Sequence, residues 1–261
     1  EIAIRLSGNA LNSVSVSSQS GFYNSINGTI SWDKNTISGF QVVEPGSTGR
    51  LPFIFTPMSL SPSNGSILSS PQINISVTVK GYVGGSQADE GPVSVTTEKT
   101  VKISTDMQLL SRVMYYSGPF KNTGLIPPVA EKETTYTIYW TVTDSANNVS
   151  SASVKTVLPP YVKWAGVTYP DSEDVSYDDN SRTVTWRLNT VYAGSGYNNP
   201  AREAAFQITF LPSLSHVGSS VSLTGETYIN GTDTFAGVPL SSSKNELTTT
   251  LAGDTGFKEG D

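Results

Sequence analysis

From Ile73 to Val79 the chain reads Ile-Asn-Ile-Ser-Val-Thr-Val, with an apolar residue at every second position. That period puts four branched aliphatic side chains on one side of an extended backbone and their polar neighbours on the other. A strand with one covered face satisfies both sets. Shorter stretches share the period: Ile2/Ile4/Leu6, Leu51/Phe53/Phe55, Tyr136/Ile138/Trp140, Ala152/Val154/Thr156/Leu158 and Phe206/Ile208/Phe210. Turn formers separate them at Asn27-Gly28, Asn64-Gly65, Gly84-Gly85, Pro159-Pro160, Asp178-Asp179-Asn180 and Asn230-Gly231. Many short strands between frequent turns predict antiparallel sandwiches rather than βαβ units. Asp106 to Tyr116 also fits a helix, with Leu109, Leu110, Val113 and Met114 at helical spacing behind a capping Asp. Flanking strands and the residues Val113, Tyr115 and Tyr116 favour an extended strand there, and a strand is expected.

Composition narrows the chemistry. The 261 residues include no Cys and one His, and 15% are charged, for a net charge of −6. Without cysteine there is no disulfide framework, thiol nucleophile, zinc finger or iron–sulfur cluster. An acidic chain lacks the basic face that displaces counterions from phosphates, so no nucleic-acid partner is expected. No apolar run reaches the length needed to cross a bilayer, so no membrane span is expected within this segment.

An internal repeat organises the rest. Pro45 to Pro57 (PGSTGRLPFIFTP) aligns without gaps to Pro200 to Pro212 (PAREAAFQITFLP). Upstream, Thr29-Ile30-Ser31-Trp32 matches Thr183-Val184-Thr185-Trp186, and Ala3 to Leu11 resembles Ala152 to Tyr161. Downstream, Tyr82-Val83-Gly84-Gly85 matches Tyr228-Ile229-Asn230-Gly231, Pro92 matches Pro239, and Thr105-Asp106 stands opposite Gly253-Asp254. Residues 107–150 have no counterpart in the first copy. The expected organisation is residues 1–106 as the C-terminal part of one β-sandwich repeat, 107–254 as a complete repeat, and 255–261 as a tail or the start of a following segment. A sandwich lacking strands exposes sheet edge and core, so upstream chain is expected in the native protein.

At these residues the chain resembles a known group. Glu131 to Thr143 (EKETTYTIYWTVT) is similar to the "G-E-x-x-T-Y-T-I-x-x-T-V-x-N" strand of a conserved repeat domain of unassigned function. That domain occurs in tandem in bacterial and archaeal cell-surface proteins. Val154 to Pro160 (VKTVLPP) with Val162 and Trp164 looks like its "V-x-D-x-L-P-x-x-V" exit, with Thr156 near the usual acidic position. Thr183 to Trp186 followed by Pro200 to Phe210 looks like its "V-T-W-x-x-G-x-L-x-P-G-x-x-x-x-x-x-F" passage, here with an expanded 190–199 linker. The resemblance implies two tandem immunoglobulin-like antiparallel β-sandwich domains, all-β, the first lacking its N-terminal strands. It further implies an extracellular, cell-surface stalk, spacer or adhesive module without catalysis.

Candidate sites are few. Asp171, Glu173, Asp174, Asp178 and Asp179 fall within one nine-residue segment, and Ca2+ favours several oxygen ligands on a loop. A solvated acidic turn is the competing reading. Asp89/Glu90 with Asp233 form a second, sparser acidic set. No other cofactor is expected. Trp164, Tyr169, Tyr177, Tyr192 and Tyr197 lie in or near loops where flat rings stack on sugars, although such residues also plug sandwich ends. Trp32 and Trp186 are expected in the cores. His216 stands without a Gly-x-Ser-x-Gly elbow or an evident triad. Lys102, Lys155 and Lys163 are the candidates for a Lys–Asn isopeptide link, and Asn27, Asn64, Asn74, Asn148 and Asn230 head Asn-x-Ser/Thr sequons. Expected partners are a surface glycan or a neighbouring surface protein. Two alternatives stand beside the stalk: a carbohydrate- or ligand-binding module of a larger surface protein, and a cell-envelope lattice or filament subunit.

Overall fold

The computed structural model describes residues 1–60, 66–83, 91–216 and 218–257. The turns at Asn64-Gly65 and Gly84-Gly85, and the pair Asp89/Glu90, lie outside those residues. The described regular structure is all-β, with three single-turn 3-10 segments, and every ladder between strands is antiparallel. Two compact units divide the chain, one of residues 1–61 with 68–103 and one of 62–67 with 104–261.

The first unit contains β1 (Ile2–Ser7), β2 (Ser17–Ser18), β3 (Phe22–Asn24), β4 (Thr29–Trp32), β5 (Phe53–Ile54), β6 (Gln72–Gly81) and β7 (Val93–Lys102). Five strands form one sheet in the order β3-β4-β1-β6-β7, and β2 pairs with β5 alone. Alternation buries Ile4, Leu6, Ile30 and Trp32 with Val16, against which Leu11, Phe53, Phe55, Ile75 and Val77 pack. Gly21 is required beside the indole, because a Cβ there would come within 2.6 Å of the Trp32 ring.

The second unit contains β8 (Met107–Met114), β9 (Thr134–Asp144), β10 (Val149–Val157), β11 (Val162–Tyr169), β12 (Asp174–Asp178), β13 (Thr183–Val191), β14 (Arg202–Phe210), β15 (Thr227–Asp233) and β16 (Pro239–Lys244). Sheets β12-β13-β10-β15-β16 and β11-β14-β9-β8 enclose one apolar cluster that includes Tyr136, Ile138, Trp140, Val154, Trp186, Phe206 and Ile229. Trp140 and Trp186 stack across the core with centroids 6.4 Å apart, and Phe206 meets Trp140 edge-on at 4.9 Å. Both indole N–H groups are satisfied, Trp140 donating to Ser111 Oγ at 3.0 Å and Trp186 to Glu173 Oε2 at 2.8 Å. The ambiguous segment is the strand β8. Met107, Leu109 and Val113 are buried while Leu110 is exposed, so pairing with β9 outweighs the helical spacing.

The two five-stranded sheets have the same strand order and matching registers. Ile2 faces Trp32 as Val154 faces Trp186, and Tyr23 faces Ile30 as Tyr177 faces Val184. Leu6 N–H bonds to Gly28 O as Leu158 N–H bonds to Arg182 O. Gly28 and Arg182 both adopt positive φ, at 67° and 55°. Asn24 caps its turn through Ile26 N–H as Asp178 does through Asn180 N–H. Two of the sequence matches shift under this pairing. Ile2 faces Val79 where Val154 faces Ile229, so Gly81, not Gly85, is the counterpart of Gly231. Likewise Ala3 occupies the place of Lys155 rather than Ala152, so the shared alanine is not a structural equivalence.

Trp140→Ala removes the centre of the aromatic stack. The second unit is expected to lose about 3–5 kcal/mol, read as a lower midpoint in its guanidinium unfolding transition.

Candidate functional site

The five carboxylates of 171–179 do not converge: Asp171 and Glu173 precede β12, Asp174 and Asp178 stand at its two ends, and Asp179 lies in the turn beyond it. Glu173 turns inward at the start of β12. Its carboxylate binds Arg202 through Nε at 2.9 Å and Nη2 at 2.6 Å, and accepts the Trp186 N–H. The Arg202 Nη1 also donates to Thr190 O at 3.0 Å. Asp174 faces solvent beside Arg187 at 3.5 Å. Asp178 accepts the Asn180 and Ser181 N–H groups, both at 2.9 Å, and these backbone bonds hold its carboxyl below the usual range. Asp171 and Asp179 are exposed. Among the described residues no three acidic or histidine side chains come close enough to hold an ion. Glu173 is therefore an internal tie between β12, β13 and β14.

The aromatic candidates also separate. Trp164 projects from β11 to the open edge between the sheets, stacked on Tyr177 of β12 at 5.4 Å and 12° and leaning on Phe206 at 5.3 Å. It plugs the sandwich edge, with a core ring to one side and Tyr177 to the other. Around this stack lies a cleft of about 620 Å³ whose polar lining includes Lys163, Thr168, Ser176, Asp179 and Arg182. Tyr169, Tyr192 and Tyr197 are exposed at 48%, 62% and 40% and do not line it. The His216 ring packs edge-on against Tyr161 at 4.7 Å. Lys102, Lys155 and Lys163 are all exposed, and Lys163 pairs with Glu133 at 3.1 Å.

Residue patterns did not single out the buried polar network at the ends of β9 and β15. Asp144 and Asp233 are both 0% exposed. Asp233 receives four N–H donors: Thr105 at 2.7 Å, the Asn147 amide at 2.9 Å, and Phe235 and Ala236 at 2.8 Å each. Asp144 receives the Thr105 hydroxyl, at 2.7 Å, and a backbone bond from Ser145, and its Oδ2 has no hydrogen-bond partner among the described residues. Burial, with the charges of Asp233 and Asp106, pushes the Asp144 carboxyl up to about 7 against the bonds from Thr105 and Ser145. The sequence signal that could have found the pair is an Asp closing a strand directly before a tight turn, in Asp144-Ser-Ala-Asn and Asp233-Thr-Phe-Ala-Gly.

No protein-family model matches the chain, and no curated protein matches it. Solved structures with a related arrangement include a variant of BcpA, the major pilin subunit of Bacillus cereus (12% identity, TM-score 0.38, covering 94% of this chain and 64% of that one). Others are the major pilin SpaD of Corynebacterium diphtheriae (11%, 0.33, 95% and 60%) and the C-terminal domain of the Streptococcus agalactiae polypeptide BspA (9%, 0.31, 93% and 83%). A Vibrio harveyi exo-β-N-acetylglucosaminidase matches over 52% of this chain at TM-score 0.29. The chain spans 17% of that enzyme and 58% of a second BcpA structure.

Two outcomes follow from the geometry. Glu173→Ala strands the Arg202 charge and the Trp186 N–H, and is expected to cost about 3 kcal/mol in denaturant unfolding, whereas Asp171→Asn and Asp179→Asn change stability by less than about 0.5 kcal/mol. Asp144 holds its proton in the folded state at pH values where the unfolded chain has released it, so its stabilising contribution falls as pH rises from about 4 through about 7. Relative to wild type, Asp144→Asn is expected to remove that decline, a difference of at most about 4 kcal/mol across the window, in melting curves recorded from pH 4 to 8.

Proposed function

We propose that this chain is a non-catalytic structural module of an extracellular cell-surface protein, built from successive copies of one β-sandwich repeat. In this reading residues 1–106 and 107–254 are the copies, and 255–261 are a tail or the start of a following segment. The observation that carries the reading is the five-stranded sheet built twice, with the same strand order, cross-strand partners, left-handed turn residue and turn cap. Duplicating a fold in one chain adds length and separate cores, which suits a spacer. The cell-surface assignment is supported by the resemblance of Glu131 to Thr143 and Val154 to Pro160 to a surface-protein repeat. Neighbouring surface proteins or glycans are the partners this reading implies.

A carbohydrate-binding role is the second reading, favoured by the cleft beside Trp164 and Tyr177. Its polar lining can hydrogen-bond hydroxyl groups, and a Tyr177 ring can cover a pyranose face. Glycan-array binding that disappears in Tyr177→Ala would support it.

Antibodies raised to the purified chain test the main reading on intact cells of the source organism. Surface labelling that is lost after protease shaving is the expected result, and signal found only after lysis overturns it.

A further inference from the structure

The two five-stranded sheets differ in how their inner faces are covered. In the second unit Ile229 of β15 is 0% exposed and lies in one cluster with Leu109 of β8 and Trp140 and Val142 of β9. Its counterpart by register in the first unit is Val79 of β6, which is 47% exposed. On the neighbouring strand, Leu240 packs against the core opposite Gly231, whereas Val93, opposite Gly81, is 49% exposed. Val95 pairs with Val79 on the same face and is 64% exposed. All ten residues of β7 are exposed.

The opposing layer accounts for the difference. In the second unit β14 pairs with β11 on one side and with β9 on the other, and β8 continues the sheet. In the first unit β5 pairs with β2 alone, and Ile54 is 68% exposed. Phe53 and Phe55 match Ile208 and Phe210 of β14, and Val16 beside β2 is buried as Val162 of β11 is. The strand places next to β5, and beyond it over β7, are those that β9 and β8 fill in the other unit.

We propose that the inner face of β6 and β7, with the open edge of β5, is a docking groove for a two-stranded β-hairpin supplied by the same polypeptide ahead of Ile2. The second unit specifies the occupant. Its hairpin, Met107–Met114 and Thr134–Asp144, immediately precedes β10, and β10 is the register counterpart of β1. A fitting hairpin carries aromatic and branched residues at alternate positions on its β5-paired strand, as Tyr136, Ile138, Trp140 and Val142 do on β9. Its outer strand places apolar residues over β7, as Met107 and Leu109 do on β8. Backbone pairing to β5 supplies direction and register, and burial of Val79, Val93 and Val95 supplies the driving force. The groove rests on cross-strand registers, so it stands whether or not the protein proves to be surface-exposed.

The chain contains no cysteine, which makes thiol labelling a direct readout. Val79→Cys is compared in the 261-residue chain and in one extended N-terminally by a stretch of its reading frame equal in length to 107–148. Val14→Cys, at a position 93% exposed in the same unit, is the control. The extension is expected to slow labelling of the thiol at position 79 at least about tenfold, leave the control thiol at position 14 unchanged, and protect the β5 and β7 amides from hydrogen exchange. Equal labelling of the Val79→Cys variant in both chain lengths overturns the proposal. So does a 261-residue chain that dimerises and shields position 79 unaided, since a second copy is then the occupant. A reading frame with no alternating strand pair ahead of Ile2 overturns it as well.

Discussion

A sheet with apolar residues at alternate positions on one face is stable only when something covers that face. The constraint is severe because the side-chain period is two. Shifting a strand by one residue exposes its whole apolar set and buries the polar one. In the second unit the requirement is met by a complete opposing sheet, and every large residue at the centre, including Trp140, Trp186, Phe206 and Ile229, is fully buried. In the first unit the opposing layer is two short strands, and burial stops where they stop. Trp32 and Ile30 are covered, while Val79 and Val95, farther along the same face, are not. One rule therefore accounts for both a fully covered core and a partly covered one.

Polar groups join the layers where apolar packing alone leaves directionality unspecified. Glu173 receives the Trp186 indole N–H from one sheet and the Arg202 guanidinium from the other, so one carboxylate fixes a core indole and links the two sheets. The arrangement is sound because the two charges match and both carboxylate oxygens accept. Arg202 directs its remaining bond to Thr190 O. The first unit builds the same strands without that carboxylate, and the Trp32 indole N–H has no hydrogen-bond partner among the described residues. Trp32 is held instead by close packing against Gly21.

Much of the fold was legible because alternation is a local signal. Ile73 to Val79 and Tyr136 to Val142 reveal strand and face from a few residues, burial follows for Tyr136, Ile138, Trp140 and Val142 but not for Val79, and the aligned Trp32 and Trp186 both prove to be core. Registration was less legible. Ala3 and Tyr82 attracted false matches to Ala152 and Tyr228 because identity in a strand carries less information than cross-strand pairing. The acidic segment is dispersed for a geometric reason. Carboxylates close in sequence are far apart in direction once they sit on and beside a strand, so Glu173 enters the interior while Asp174 reaches water. Asp144 and Asp233, 89 positions apart in the chain, carried no proximity signal, yet the fold brings them into one buried network.

That network shows how one fold treats two buried acids unequally. Asp233 is surrounded by N–H donors from the β15 turn, from Thr105 and from Asn147, which supply in the interior what water supplies outside. Asp144 has fewer donors, the Thr105 hydroxyl and the Ser145 backbone, and one oxygen without a partner among the described residues, so a negative charge there is poorly compensated and is further opposed by Asp233. Like charges in a shared dry site do not both persist, and the carboxyl with fewer donors takes the proton. Thr105 connects the two, donating its backbone N–H to one acid and its hydroxyl to the other. Thr105, just ahead of β8, is thereby tied to the ends of β9 and β15.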